Sequence, residues 1–458
     1  MILSFIDWLI IIGYFIFLIS IGFYRKKQPH SQNQKDFILS SRTLSLPGFI
    51  ATLVTTWYGS ILGVGENTYL YGVQTWFIFG IPYYIFALLY AFWLTDKIGK
   101  FEALTIPDMF RRSFGSQAGI LSGVLLFILS SPAPYILSLS VLLKYIFNID
   151  LVTGLIISTT FSITYVWNGG FRAVIRTDYF QFILMFLGFS LLFIYSWISS
   201  ISPIMLLKII PEKLVAPLGG NTLQYVVVWF FIALWTLVDP GFFQRCAAVS
   251  SHTIAKKGLL IAIIFWFIFD FLTIFSGLYA VHLISTEDAL LAYPLLAMEV
   301  LPPVALGLFF TSIFAVMMST IDSLSLINAT TFGRDILWRF KNDINEDPTP
   351  LIKNGLIIMG IVSIILALSI PSVIKLLYTI GSLIIPGLII PFIFSLNKDT
   401  KVNEYLSICW ILLPVIISSI WFLFGNINNH FLNIQPFYPG IFVSIIFYIF
   451  IMICNKKI

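Results

Sequence analysis

The chain has 458 residues, of which 59% are hydrophobic and only 10% charged, with a mean hydropathy of +0.97. Soluble domains carry roughly 25% charged residues, so a water-soluble globular protein is excluded and an all-α polytopic membrane protein is indicated. The net charge of +5 does not point to nucleic acid, because the basic residues fall in short loops between apolar runs.

Hydropathy together with helix-breaking residues gives thirteen spans, at 4–23, 45–70, 75–96, 117–147, 150–168, 174–199, 223–243, 257–284, 301–332, 354–370, 372–396, 404–425 and 436–454. The first run, Ile2 to Phe23, lacks a basic front and a small-residue cleavage site, and reads as a retained span. The loop after the third span contains IPDMFRR and is expected to hold a short interfacial helix. With the N-terminus outside, only Lys144, Lys208, Lys213 and Lys375 of the 26 Lys and Arg face outward. The inner side then includes Arg25, Lys26, Lys27, Lys100, Arg245, Arg334, Lys398, Lys401, Lys456 and Lys457. The opposite topology inverts this bias, so the expected orientation is N-terminus out and C-terminus in, in the cell membrane. Cys246, Cys409 and Cys454 show no paired spacing, and neither a disulfide framework nor a zinc site follows.

The second span reads ATLVTTWYGSILGVGENTYLYG (Ala51–Gly72), with Gly59, Gly63 and Gly65 beside Thr55, Thr56, Ser60, Glu66 and Asn67. A Gly-rich, polar-interrupted span points to a discontinuous helix whose freed carbonyls can hold an ion; close helix packing through small residues is the equal alternative. The sixth span opens at NGGFRAVIRTDYFQF, with Gly169 and Gly170 at the turn and Asp178 about one turn further in. The seventh is interrupted at Asp239-Pro240-Gly241. If the first span is peripheral, spans two and seven open two groups of five, the spacing of an inverted repeat with broken first helices.

The ninth span organises the rest. It ends in SIFAVMMSTIDSLSLINATTFGRD (Ser312–Asp335) and carries Ser319, Thr320, Asp322 and Ser323 within about one turn. A helix in hydrocarbon gains nothing from such side chains, since an unsatisfied polar group there costs several kcal/mol. Single hydroxyls can bond back to the preceding turn, but an intramembrane carboxylate marks a functional site. On a helix Ser319, Asp322 and Ser323 share a face, and hydroxyls, a carboxylate and main-chain carbonyls are the hard oxygen ligands of a small alkali cation. The eleventh span holds Gly381, Pro386, Gly387 and Pro391 and is expected to be kinked. The last two spans read as scaffold.

At this point the chain resembles the sodium:solute symporter family, which includes bacterial proline, sialic acid and sugar transporters. The resemblance rests on GGFRAVIRTDYFQ (Gly169–Gln181), on MMSTIDSLSLINATTFGRDI (Met317–Ile336), and on the placement of the Thr52–Gly72 break and of Asp239-Pro240 with Gln244-Arg245. It covers about residues 5 to 395. It implies a leucine-transporter-like 5+5 inverted repeat in a single transporter domain (1–458): a ten-helix core at 45–396, one extra helix at 4–23 and two at 404–454. It also implies Na⁺ as the coupling ion, held by the carbonyls of Leu53, Thr56 and Val316 and the hydroxyls of Ser319 and Thr320. Some relatives bind a second cation, which would fall here at Asp178, Ser319, Asp322 and Ser323. Asp322 departs from those relatives, which have a hydroxyl there. The solute contacts implied are Trp57, Tyr58, Ser60, Trp235, Thr236, Asp239 and Ser382, with Trp57 and Tyr58 bulkier than in several relatives.

The expected function is Na⁺-coupled symport of a small organic solute into the cell by alternating access. The expected partners are that solute and the lipid bilayer, with a monomer sufficient for transport. The alternatives are a proton-coupled or uncoupled transporter, a channel, or a polytopic membrane enzyme. Against the enzyme, His30, His252, His282 and His430 are scattered, and no HExxH, GxSxG or P-loop pattern occurs.

Overall fold

The structure is a computed structural model that describes residues 3–23, 34–99, 101, 103–341, 347–397, 402–425 and 430–455. The described residues are helical apart from turns, loops and one isolated bridge between Leu44 and Val249. Among the described residues, ten helices are long and apolar enough to cross a membrane, eleven if the bent pair Leu46–Trp57 and Ile61–Tyr71 counts as one span. Shorter apolar helices at Phe5–Ile21 and Leu151–Thr164 occupy the places of the first and fifth predicted spans. A third, Ala289–Val300, lies in a stretch the hydropathy reading left as a connection.

Local chemistry explains where these helices start and stop. Ser45 caps Leu46–Trp57 by accepting from the Gly48 amide at 3.3 Å, and Pro47 sits in the first turn, where its missing N–H costs nothing. The span then breaks and resumes after a 54° bend. Gly59 lies at the break, against Thr320: a β-carbon there would stand 2.4 Å from Thr320 Cβ. Gly72 ends the second half at φ +63°, with no room for a β-carbon beside the Leu214 carbonyl. The seventh span is interrupted between Trp235–Val238 and Pro240–Ala248, where Asp239 Oδ1 accepts from the Phe242 amide at 2.8 Å. The predicted fifth and sixth spans form one helical run, Leu151–Ile198, jointed at Gly170 (φ +52°, ψ −154°). Val373–Ser395 continues through Pro386 and Pro391 without a break in the helix.

Ala305–Thr330 runs through the centre of the molecule, and every residue in it except Leu308 is buried. Its most extensive packing is against Leu151–Ile198. The N-terminal helix, Phe5–Phe23, packs on both. Asp7 Oδ1 accepts from the Val304 and Gly307 amides at 2.8 and 2.9 Å, satisfying orphan donors at the start of the central helix. At the other end, Arg334 Nη2 meets Asp108 Oδ2 at 2.9 Å, tying the short amphipathic helix Ile106–Phe114 to the extension Thr331–Trp338.

Two basic residues counted above among the inner loops stand elsewhere: Arg245 and Arg334 are buried, at 0% and 3% exposure. Each is surrounded by hydrogen-bond acceptors, which is what allows a guanidinium inside. Arg25, Lys26, Lys27, Lys100, Lys398, Lys401, Lys456 and Lys457 lie outside the described residues.

Candidate functional site

Two polar groups face one another where the broken helix crosses the central one. The Thr320 hydroxyl lies 3.0 Å from the Thr56 carbonyl and 3.2 Å from the Val316 carbonyl, with the Thr55 carbonyl at 3.4 Å. Three of the five groups implied for a sodium cage therefore converge: the carbonyls of Thr56 and Val316 and the hydroxyl of Thr320. Ser319, one residue back and about 100° round the helix, donates instead to Asp178 Oδ1 at 2.6 Å. Leu53 is buried one turn before Thr56 on the same helix. The donor set is all oxygen, as a hard alkali cation requires.

Of the four residues implied for a second cation, Asp178 and Ser319 are brought together, and Asp322 and Ser323 are not. Asp178 meets Ser319, while Asp322 Oδ1 accepts from Ser162 at 2.8 Å. Ser323 turns the other way, to Thr56 Oγ1 at 3.0 Å and Arg245 Nη2 at 2.9 Å. Neighbouring positions on a helix point to different sides, so the shared face expected for Asp322 and Ser323 divides between two partner helices. A guanidinium beside Ser323 also repels a metal cation there. Oδ2 of Asp178 and Oδ2 of Asp322 are both buried and make no hydrogen bond among the described residues.

The sequence places Arg245 in the Gln244-Arg245 block and among the inner-side cations but assigns it no role at the site. Its Nη2 lies 2.9 Å from Thr52 Oγ1 and 2.6 Å from Thr56 Oγ1, and its Nη1 donates to the Gly241 carbonyl at 3.2 Å. Among the described residues it forms no ion pair, and Asp178 and Asp239 are the carboxylates whose charge acts on it. The arginine thus joins both broken spans to the central helix. The available signal was a basic residue one turn after a Pro-Gly break in an apolar span.

Beside this junction is a cavity of about 110 Å³. Of the residues implied as solute contacts, Trp57, Tyr58, Ser60, Trp235 and Asp239 line it. Thr236 and Ser382 do not; both are buried at 1% exposure in the neighbouring packing. Other wall residues went unnoticed in the sequence, chiefly Tyr83, Trp229, Phe242 and Asp270. Asp270 carried a usable signal, since it is a carboxylate in the middle of the run FWFIFDFLTIF.

Comparison with known proteins agrees with this architecture. The chain is 23% identical over 395 residues to sodium/proline symporter 2 of Staphylococcus saprophyticus, covering 78% of this chain and 73% of that one. It is 24% identical over 357 residues to a sodium/proline symporter of Staphylococcus aureus, covering 72% and 67%. Among solved structures, a Na⁺-coupled sialic acid symporter in a substrate-bound outward-open state superposes with a TM-score of 0.80 at 18% identity, covering 99% of this chain and 98% of that one. A nucleobase-cation-symport-1 family transporter in a closed conformation gives 0.60 at 12% identity, covering 93% and 96%. These likenesses show a leucine-transporter-like fold. The family profile itself matches residues 37–419, and the chain belongs to the sodium:solute symporter family.

Proposed function

We propose that this symporter moves a small organic solute into the cell, with Na⁺ bound where the broken second span meets the central helix. Na⁺-coupled symport by alternating access is the activity of the family, and the chain is a transporter rather than an enzyme. The ion's ligands would be the carbonyls of Leu53, Thr56 and Val316 and the hydroxyls of Ser319 and Thr320. The observation that carries this reading is Thr320, whose hydroxyl reaches carbonyls on both helices at 3.0 and 3.2 Å. A cation at this place would be ligated by the lone pairs of these oxygens, with the Thr320 hydrogen turned away from it.

The mechanism follows from which elements the ion joins. Na⁺ bridging Leu46–Trp57 and Ala305–Thr330 holds the break in one arrangement, and the cavity walls Trp57, Tyr58 and Ser60 belong to that same break. Ion binding therefore orders the solute site, and the coupling needed is about 1–3 kcal/mol. Release follows when rocking opens the junction to the low-Na⁺ cytoplasm, with the N-terminus outside and a monomer as the working unit.

Two buried carboxylate oxygens without hydrogen bonds, on Asp178 and Asp322, favour a second cation on the Asp178 side of the central helix. A proton can take that place on Asp322, whose one side-chain hydrogen bond among the described residues is from Ser162. These differ in one respect: a proton makes transport depend on pH at saturating Na⁺, and a second Na⁺ does not.

The test is the thermal midpoint of the purified protein in NaCl against KCl. A ligand at 100 times its Kd stabilises the native state by about 2.7 kcal/mol, so Na⁺ raises the midpoint of the wild type and not of Thr320→Ala. A wild-type midpoint that is equal in the two salts overturns the sodium site.

A further inference from the structure

The cavity beside the sodium junction contains three ionisable side chains of fixed sign: Asp239, Asp270 and Arg245. Two of them already have partners within the protein. Arg245 donates through Nη2 to hydroxyls on Thr52, Thr56 and Ser323 and through Nη1 to the Gly241 carbonyl. Asp239 caps the helix Pro240–Ala248, whose N-terminal amides favour a negative charge.

Asp270 is met by phenols instead. Its Oδ1 accepts from the Tyr58 hydroxyl at 2.8 Å and its Oδ2 from the Tyr84 hydroxyl, whose own oxygen accepts from Trp76 Nε1 at 3.3 Å. Phenol donors stabilise an ionised carboxylate without neutralising it. Among the described residues no Lys, Arg or His forms an ion pair with it. A lone carboxylate in a membrane interior is costly, and this one faces the cavity in which a solute would sit.

Much of the remaining lining is aromatic. Trp57 packs against Tyr83 with ring centroids 4.6 Å apart, and lies 6.0 Å from Phe242. All three rings line the same space as Asp270. Aromatic faces attract cations through their quadrupole, by about 2 kcal/mol or more where water is excluded. An anionic solute would instead meet two carboxylates and an arginine whose Nη2 is committed elsewhere.

We propose that the transported solute carries a positively charged ammonium group, with Asp270 as its counter-charge and Trp57, Tyr83 and Phe242 enclosing its alkyl surface. This rests on the symport reading above and narrows it to a substrate class. A zwitterion such as a betaine falls within the class when its ammonium end occupies this site.

The experiment uses the full-length purified protein and compares choline, glycine betaine and neohexyl alcohol, the uncharged carbon isostere of choline, by calorimetric titration in NaCl and in KCl. The expected result is that at least one ammonium probe binds about tenfold or more tightly than the isostere, a 1.4 kcal/mol preference for charge. Asp270→Asn abolishes that preference while the Na⁺-dependent rise in thermal midpoint persists. Equal binding of probe and isostere overturns the proposal, as does failure of both ammonium probes to bind a protein that Na⁺ stabilises. The wild-type comparison decides even if Asp270→Asn does not fold. Loss of the Na⁺ response with charge preference intact strikes the sodium site and leaves the substrate class standing.

Discussion

Arg245 holds a permanent charge at the meeting point of three helices, and its hydrogen bonds to Thr52, Thr56, Ser323 and Gly241 are what make that burial tolerable. Replacing it with alanine removes those donated hydrogen bonds and opens a void. Arg245→Ala is expected to destabilise the protein by about 3 kcal/mol, seen as a lower thermal midpoint in both NaCl and KCl. Gly59→Ala acts differently. Its new methyl would stand 2.4 Å from Thr320 Cβ, an overpacking worth about 1–3 kcal/mol, and it displaces Thr320 from the Thr56 carbonyl. Gly59→Ala should therefore lose the Na⁺-dependent part of the midpoint, whereas Arg245→Ala tests stability as a whole. The polar run on the central helix was readable in the chain, because hydroxyls and a carboxylate stand out against apolar neighbours. Arg245 was not, because a basic residue near a span end is counted as loop by any charge-asymmetry rule. Asp270 was passed over within its aromatic run, although the rule that picked out Asp322 applies to it equally.

At the scale of elements, the two ends of the central helix are held by different chemistry. The start is held by Asp7, a carboxylate on backbone amides. The far end is held by Asp108, which receives Arg334 at 2.9 Å and Arg339 at 3.2 Å, while Thr105 donates to Asp335 at 3.0 Å. Burial by itself would raise the Asp108 carboxyl, yet the two guanidinium groups hold it below its ordinary value of 3.8. A carboxyl depressed in the folded state contributes stability that is complete above the unfolded value and is lost as pH falls through the folded one. The wild-type midpoint should therefore fall below pH 3.8 more steeply than that of Asp108→Asn, and run parallel to it near neutrality. A parallel course throughout would mean that the pair contributes nothing through charge. The helices themselves were largely legible, since glycine, proline and capping residues mark the breaks at Gly59, Gly170 and Asp239. Which partner each face of the central helix meets was not: Asp322 and Ser323 are adjacent in sequence, and only tertiary packing sends one to Ser162 and the other to Arg245.

For the whole molecule, the two interrupted spans and the central helix form one junction, and the remaining helices hold it in place. An ion at that junction should slow local opening there more than elsewhere. Amide hydrogen exchange is expected to be more protected in NaCl than in KCl across 51–60 and 316–323, with little change in Glu404–Phe424 or Phe437–Asn455 at the periphery. Uniform protection across all helices would instead indicate a general salt effect on stability.

The contact of Asp7 with Val304 and Gly307 spans 297 and 300 positions of chain. In a protein made from its N-terminus, Asp7 enters the bilayer long before its partners exist, and at ~5–20 residues per second the interval is roughly 15–60 s. During that time Asp7 Oδ2 can be met by the Ser4 amide and hydroxyl, at 2.9 and 2.6 Å, but Oδ1 lacks the two amides that later receive it. Its docking therefore waits for the central helix, and chains arrested before residue 304 should present Asp7 to whatever insertion or quality-control factors attend the nascent membrane protein.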